Sequence, residues 1–245
     1  MGRHQRLAAI ARLTLTLTLG LTLAPATVAA ADQCVLPQSI PAARSQSFDW
    51  RNTEAKTDYY MLALSWSPEH CAESGTEARS RIQCGLNKFR FVVHGLWPQS
   101  EGARTKEDHP RNCRRADPLP PALVRNHLCT VPGVELMQGQ WQRHGSCAFS
   151  SPEAYFAKIE ELWKDFRQPD LAALVRRSPR PTAGEVREAV VAANGRLGLR
   201  REHVMVDRTR EGWLEEIRLC YDRGFRPKPC AVRGAPDRAE LRIRL

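Results

Sequence analysis

Eight cysteines constrain the fold of this chain more than any other feature of its 245 residues. They all follow an N-terminal segment with the form of a signal peptide, in which Arg3, Arg6 and Arg12 precede an apolar stretch at residues 13–23. Ala29-Ala30-Ala31 then supplies the small residues of a cleavage site. An even number of cysteines behind such a leader predicts disulfides and a periplasmic or secreted protein. The cysteine spacing alone does not select among the possible pairings.

The leader, residues 1–31, is too short in its apolar part for a comfortable membrane span, and no later segment is long and apolar enough. Cleavage leaves residues 32–245, a length that suits one domain with a substantial core. Of the 37 basic side chains 34 then remain, against 27 acidic ones, which gives a net charge of +7. A basic surface favours polyanions such as RNA or DNA, although solubility alone also accounts for it.

The order of the apolar segments predicts an α+β domain with a mainly antiparallel sheet flanked by helices. Residues 59–66 and 89–94 are apolar runs typical of buried strands, and Gly95 and Pro98 are expected to end the second run. His94 would then lie at a strand end, aimed into a cleft. Three later segments are strand candidates: residues 204–206, 214–221 and 240–245.

Helices are predicted between these strands. Residues 134–144 can form one, in which Gln140 and His144 share a face. Ser150-Ser151-Pro152-Glu153 and Thr182-Ala183-Gly184-Glu185 are helix-start signatures, each followed by apolar residues at helical spacing. Residues 99–121 have no periodicity and are predicted to form a loop, the usual position of substrate-facing variation.

Two histidine–glycine segments are the candidates for chemistry. One is His94-Gly95-Leu96-Trp97-Pro98, and the other is His144-Gly145 within the sequence W-Q-R-H-G-S-C. Two imidazoles suffice for metal-free acid–base catalysis near neutral pH. Since a lone histidine is usually a packed or surface residue, the other histidines of the mature chain are given no role, although His109 in the loop could touch a substrate. Zinc is not expected, because the chain has no C-x-x-C pair and no H-E-x-x-H sequence.

Both segments resemble the motifs of the ribonuclease T2 family. The first family motif, H-G-L-W-P after an apolar strand, is intact at residues 94–98. The second, normally H-E-W-x-K-H-G-T-C, reads G-Q-W-Q-R-H-G-S-C at residues 139–147. The strand at residues 62–66 with Pro68 and Cys71, and the segment 216–222 with Cys230, also match, so the resemblance covers most of residues 58–230.

The resemblance implies a secreted endoribonuclease that cleaves single-stranded RNA through its 2′-hydroxyl to a 2′,3′-cyclic phosphate, without a cofactor or metal. By matching positions, His144 is the general base and His94 the general acid. Arg143 replaces the family lysine and keeps a fixed charge for the transition state. The other implied site residues are Gln140 beside the phosphate and Trp97, Gln99 and Trp141 as substrate contacts. DNA should not be cleaved, and we expect a monomer.

Two departures from the second motif bear on activity. Gln140 replaces the family glutamate and removes an ionisable group, and Gly139 replaces the first histidine of the motif and removes a phosphate contact. We therefore expect a weaker or differently tuned enzyme. The main alternative is a secreted RNA-binding homologue without turnover. A metal-dependent nuclease or phosphatase is disfavoured, because the motif region has no carboxylate cluster. A small secreted structural or inhibitory protein does not explain the two motifs.

The resemblance also narrows the choice of disulfides. It implies the bridges Cys113–Cys147 and Cys220–Cys230, with Cys71–Cys84 as a short loop and Cys34–Cys129 as the remaining pair.

Overall fold

The structure, a computed structural model, describes residues 1–2, 34–232 and 234–245. The predicted signal peptide lies outside these residues except for its first two positions, so it stays a prediction. The strands are β1 Tyr59–Trp66, β2 Phe91–Gln99, β3 Val204–Arg208 and β4 Leu214–Asp222. The α-helices are α1 Ser67–Ser74, α2 Pro121–His127, α3 Val134–Gln140, α4 Ser146–Ala148, α5 Pro152–Asp165, α6 Leu171–Arg177 and α7 Ala183–Ala193. Two π-helical segments, Arg81–Leu86 and Trp141–Gly145, and four short 3₁₀ segments, Ala78–Ser80, Lys106–Asp108, Gly195–Leu197 and Arg201–His203, complete the described elements.

The four strands form one antiparallel sheet in the order β2-β1-β4-β3, which confirms the predicted α+β class. The prediction of a strand at residues 240–245 is wrong. This segment makes only isolated bridges, from Glu240 to Thr182 and from Arg242 to Trp213. Its partners belong to two different parts of the chain, so no continuous ladder can form, although Leu241 and Ile243 are buried as an alternating strand would bury them.

The two faces of the sheet have different surroundings. Alternate residues of β1, including Leu62 and Leu64, join Ile217 and Leu219 of β4 in the main hydrophobic core. On the opposite face Tyr59, Met61, Met205 and Cys220 form a smaller apolar cluster. The polar side chains of the sheet also lie on this second face, which is therefore the face that can carry a site.

A β-bulge in strand β2 corrects the predicted end of that strand. The strand does not stop at His94 but continues to Gln99, and the pairing with β1 shifts so that Ala63 opposes Gly95 while Leu64 opposes Val93. His94 is the additional residue. In a regular strand, residues three apart point to opposite faces. The bulge keeps Val93 and Leu96 in the core and turns His94 and Trp97 to the same side.

The helix-start signatures were predicted correctly. Ser151 caps α5 by accepting a hydrogen bond from the backbone N–H of Ala154. Thr182 and Glu185 form a capping box at α7. The helix predicted at 134–144, however, is α-helical only to Gln140, and the next five residues, including His144, form a π-helical turn.

Disulfides tie the irregular segments to these elements. The pairs are those that the resemblance implies: Cys34–Cys129, Cys71–Cys84, Cys113–Cys147 and Cys220–Cys230. None of the helices in the described part of the chain is long and apolar enough to cross a bilayer.

Candidate active site

A cavity of about 640 Å³ lies on the second face of the sheet. It is bounded by strand β2, by the end of α3 with the π-helical turn, by residues 99–111 and by the extended segment before β1. Most of the side chains predicted for the site line this cavity: His94, Trp97, Gln99, Gln140, Arg143 and His144. The structure therefore brings together the two histidine segments, which are fifty residues apart in the chain.

His94 is held by a buried carboxylate of strand β4. Its Nδ1 lies 2.8 Å from Oε2 of Glu216, and a carboxylate only accepts, so Nδ1 carries the hydrogen. The Glu216 side chain is only 7% exposed, whereas that of His94 is 36% exposed. Burial by itself raises the pKa of Glu216, but the hydrogen bond and charge of His94, together with Arg218, lower it from 4.5 to about 2. Glu216 is therefore an anion that accepts the hydrogen bond of His94.

Arg218 supports this carboxylate from the same strand. Its Nε donates to Oε1 of Glu216 at 2.7 Å, and its Nη2 lies 3.3 Å from Oδ2 of Asp207. Its guanidinium also lies over the indole of Trp97, 5.0 Å from the ring centroid. In the sheet, Arg218 pairs with Ala63 of β1, and Ala63 pairs on its other side with Gly95 of β2. These two small residues leave space for Arg218 to reach across β1.

Trp97 separates the two histidines. Its ring is edge-on to His94 with centroids 5.2 Å apart, and it stacks on His144 at 5.5 Å. Its Nε1 donates to Oε1 of Gln140 at 2.8 Å. This bond explains the glycine after His94, because a Cβ at Gly95 would lie 1.9 Å from that oxygen. Since the indole already contacts several side chains, its stacking on a base stays a prediction.

His144 has the opposite electrostatic environment from His94. Burial, together with the positive charges of Arg111, His94 and Arg143, lowers the pKa of His144 well below 6.5. Nη1 of Arg111 lies 3.3 Å from Nε2 of His144, and because a guanidinium only donates, Nε2 is the acceptor of a neutral ring. Nδ1 is buried and has no hydrogen-bond partner in the described residues. The glycine after His144 is also a packing requirement, since a Cβ at Gly145 would lie 2.8 Å from the ring of Tyr155.

The cations beside His144 are fixed by a carboxylate from outside both motifs. Asp49 accepts from Nε of Arg111 at 2.9 and 3.1 Å, and its Oδ2 also contacts Nη2 of Arg111 and lies 3.6 Å from Nε of Arg143. The hydrogen bond from Arg111 holds the pKa of Asp49 well below its usual range. The Asp49–Arg111 pair therefore stays charged under mildly acidic conditions.

Two of the predicted substrate contacts, Trp141 and Gln99, lie in different surroundings. Trp141 does not line the cavity: it is 7% exposed and packs in the core against Tyr155, so its contact with substrate stays a prediction that this position does not support. The π-helical turn keeps this indole in the core while His144 lines the cavity. Gln99 does line the cavity, but its Nε2 donates to the backbone oxygen of Pro98. His109 also lines the cavity, with Nδ1 accepting from the backbone N–H of Ser100.

Sequence reasoning missed four charged residues of the site: Asp49, Arg111, Glu216 and Arg218. For the last two a signal was present, because a strand with the sequence E-I-R-L alternates polar and apolar positions and presents both charges on one face. Asp49 and Arg111 lie in irregular segments of ordinary charged composition, and no spacing rule links them to the histidines.

Comparisons with known proteins identify the family of the chain. The model of the ribonuclease T2 family matches residues 57–230. A probable ribonuclease of Haemophilus influenzae is 48% identical over 128 residues, 49% of this chain and 47% of that protein. The chain therefore spans about half the length of this relative. A ribonuclease of Aeromonas hydrophila is 30% identical over 68% of this chain and 72% of its own length.

A similar fold is found in a solved structure, trichomaglin, which is described as an S-like ribonuclease. Its TM-score is 0.57 with 21% identity, over 76% of this chain and 97% of that one. This likeness concerns the fold alone, while the family match rests on the sequence. Together with the two histidine segments, these matches show that the chain belongs to the ribonuclease T2 family, whose members are RNA-cleaving endoribonucleases.

Proposed function

We propose that this protein cleaves single-stranded RNA by metal-independent transphosphorylation. In this reaction the ribose 2′-oxygen attacks the adjacent phosphorus and the bond from phosphorus to the 5′-oxygen breaks. The 2′-hydroxyl loses a proton and the departing 5′-oxygen gains one, so the reaction needs one base and one acid. The product is a 2′,3′-cyclic phosphate, which water can open afterwards.

His144 is the base in this proposal. Its lowered pKa keeps the ring neutral near neutral pH, so that it can accept the 2′ proton. Because Nδ1 is buried, Nε2 is the nitrogen that a substrate can reach. Nε2 also lies beside Arg111, on the cavity side of the ring.

His94 is the acid. The carboxylate of Glu216 engages Nδ1 and places a negative charge beside the ring. With Nδ1 engaged, Nε2 is the nitrogen that delivers a proton to the leaving 5′-oxygen. His94 would return to its protonated form when water opens the cyclic phosphate.

The remaining polar groups stabilise the charge that develops on the phosphate. Arg143 lines the cavity as a cation, and its planar guanidinium suits a phosphorane with several equatorial oxygens. Gln140 cannot exchange protons, and its Oε1 is occupied by Trp97, so only its amide N–H groups can serve the phosphate.

One observation carries the proposal: two histidines share one cavity, and their partners have opposite charge. A carboxylate accepts from His94, and a guanidinium donates to His144. The same ring type is therefore prepared as an acid at one position and as a base at the other.

The direct test is incubation of the purified protein with RNA in excess EDTA across mildly acidic to neutral pH, with analysis of the product ends. We expect 2′,3′-cyclic phosphate ends, and no cleavage by the His94→Ala/His144→Ala double variant. DNA should resist because it lacks the 2′ nucleophile. Cleavage of DNA, or loss of RNA cleavage in EDTA, would contradict the mechanism.

The alternative function is RNA binding without turnover, for which the exchanges at Gly139 and Gln140 are the motivation. It predicts that wild type and the double variant bind RNA equally well and cleave it equally poorly. A metal-dependent nuclease or phosphatase, the other alternative, would need a cluster of metal ligands. Within residues 34–232 and 234–245, no group of three His, Cys, Asp or Glu side chains is arranged to hold a metal ion.

We further propose that the protein acts as a monomer in the periplasm or outside the cell. Four disulfides support an oxidising compartment, because thiols are kept reduced in the cytosol. Cell fractionation with mass analysis of the mature N-terminus tests the location and the predicted cleavage after Ala31, and light scattering tests the oligomeric state.

A further inference from the structure

The segment of residues 45–52 lies outside the range matched by the family model and yet forms part of the cavity wall. The backbone of Gln46 is fixed to the π-helical turn by the side-chain amide of Gln142. The Gln46 N–H donates to Oε1 of Gln142 at 3.0 Å, and Nε2 of Gln142 donates to the Gln46 carbonyl at 2.6 Å. Asn52 pairs with Arg111 through two backbone hydrogen bonds of 3.0 Å. Asp49 and Trp50, between these anchors, line the cavity.

This segment occupies the space that Gly139 leaves. A Cβ at Gly139 would lie 2.3 Å from Nη1 of Arg143 and 2.9 Å from Oε1 of Gln46. The position that holds a histidine in the family motif is therefore filled here by the ends of two other side chains. A larger residue at position 139 would have to displace both of them.

The same segment fixes the guanidinium of Arg111. Asp49 binds its Nε and Nη2, and the guanidinium carbon lies 4.0 Å from the ring centroid of Trp50. Two donors are thereby used by the carboxylate. The remaining nitrogen, Nη1, points to the edge of His144 from which the reaction starts.

We propose that Arg111 binds the reacting phosphate in place of the side chain missing at position 139, and that Asp49 is the positioning residue that holds Arg111 there. The inference rests on the proposed function. A guanidinium has five donors, so Nη1 can serve a phosphate oxygen while Nε and Nη2 remain on Asp49. When the phosphate takes the hydrogen bond of Nη1, Nε2 of His144 becomes free to accept the 2′ proton.

Arg143 completes the phosphate site. Its Nε lies 3.6 Å from the same Asp49 oxygen, so two guanidinium groups share one carboxylate at the cavity edge. Together, Arg111, Arg143 and Asp49 keep a net charge of +1 beside the phosphate. The opposite arrangement is that Asp49 occupies the place of the phosphate and competes with it, and the test separates the two.

The experiment uses the full mature chain and two measurements. The first is kcat/KM for RNA cleavage. The second is calorimetric binding of the dinucleotide d(ApA), whose phosphodiester cannot be cleaved because it lacks the 2′-hydroxyl, compared with adenosine, which has no phosphate. We expect Arg111→Ala to weaken d(ApA) binding and to lower kcat/KM, each by roughly 10- to 100-fold, the effect of one charge-assisted hydrogen bond. Adenosine binding should not change.

The positioning role of Asp49 is tested by comparing Asp49→Asn in the wild-type and Arg111→Ala backgrounds. Asp49→Asn should lower kcat/KM roughly tenfold in the wild-type background and by a clearly smaller factor in the Arg111→Ala background, where only its contact with Arg143 remains to be lost. Arg115→Ala is the matched control, since Arg115 belongs to the same irregular segment and its side chain is 94% exposed. Arg111→Lys and Asp49→Asn preserve most of the side-chain volume, and thermal melting verifies that each variant folds.

Two results would overturn the inference. In the first, both Arg111 variants fold and match Arg115→Ala in d(ApA) binding and in kcat/KM. In the second, Asp49→Asn raises kcat/KM or tightens d(ApA) binding, as expected for a carboxylate that competes with phosphate. If wild type does not cleave RNA while Arg111→Ala still weakens d(ApA) binding, the proposed function fails and the phosphate site of Arg111 stands.

Discussion

The two halves of the site hold the same side chain in different ways. His94 lies on a bulge of a sheet strand and is fixed by a hydrogen bond to Glu216, which Arg218 and Ser65 also contact. His144 lies on a π-helical turn, stacks on Trp97, and approaches Arg111 through Nε2. One imidazole is fixed by an anion and the other lies beside a cation. The proposed assignment of acid and base, which the matching motif positions imply, is supported by these partners.

The halves also differ in the origin of their supporting charges. Glu216 and Arg218 belong to β4, inside the sheet, where strand pairing fixes their positions. Asp49 and Arg111 belong to irregular segments that are joined by the backbone hydrogen bonds between Asn52 and Arg111. The Cys113–Cys147 disulfide ties the Arg111 segment to α4. We expect the sheet half to tolerate few changes, and the helix half to be where this protein can depart from the family pattern, as it does at Gly139 and Gln140.

The largest expected effect tests the assignment of acid and base. Each of His94→Ala and His144→Ala should lower kcat for RNA by roughly 10²- to 10⁴-fold, the range for loss of one proton-transfer group. With a nucleoside 3′-(4-nitrophenyl phosphate), whose leaving group departs without a proton, His94→Ala should regain most of its activity. His144→Ala should not. Recovery of the His144 variant instead would reverse the two roles.

A smaller effect tests the carboxylate behind the acid. Glu216→Gln removes the anion that accepts the hydrogen bond of His94 Nδ1, so kcat/KM should fall by roughly 10- to 100-fold, as for the loss of a hydrogen bond to a charged group. Steady-state kinetics with RNA measure the change.

Glu215→Gln is the control for this change, since Glu215 is the exposed neighbour on the same strand. Equal kcat/KM values for the two variants would show that Glu216 has no role in positioning His94.

The smallest expected effect concerns the acidic limb of the pH profile, where kcat/KM rises with increasing pH. The base is active when it is deprotonated, so kcat/KM rises as pH increases through the pKa of His144. That pKa lies well below 6.5, in part because of the positive charge of Arg111. Arg111→Ala should raise the pKa of His144 and move the acidic limb to higher pH, in addition to its effect on phosphate binding. A limb that stays in place in this variant would mean that the charge of Arg111 does not contribute to the lowered pKa of His144.

Much of the fold could be predicted from local patterns. Apolar runs predicted β1 and most of β4. Capping signatures predicted the starts of α5 and α7, because these features depend on residues close in sequence. The bulge at His94 and the π-helical turn at His144 could not be predicted. Both change the direction of a side chain by adding one residue to a regular pattern, and their stability depends on packing against Gln140, Trp97 and Tyr155.

The sequence by itself determined the family, the signal for an oxidising compartment, and the two histidines that line the cavity. These depend on residue identity and spacing, which a linear sequence contains in full. Only the tertiary structure decided which charges surround each histidine. Glu216 reaches His94 from 122 residues away, and Asp49 reaches Arg111 from 62 residues away. Electrostatic effects on a pKa depend on distance in space, which the order of residues does not specify.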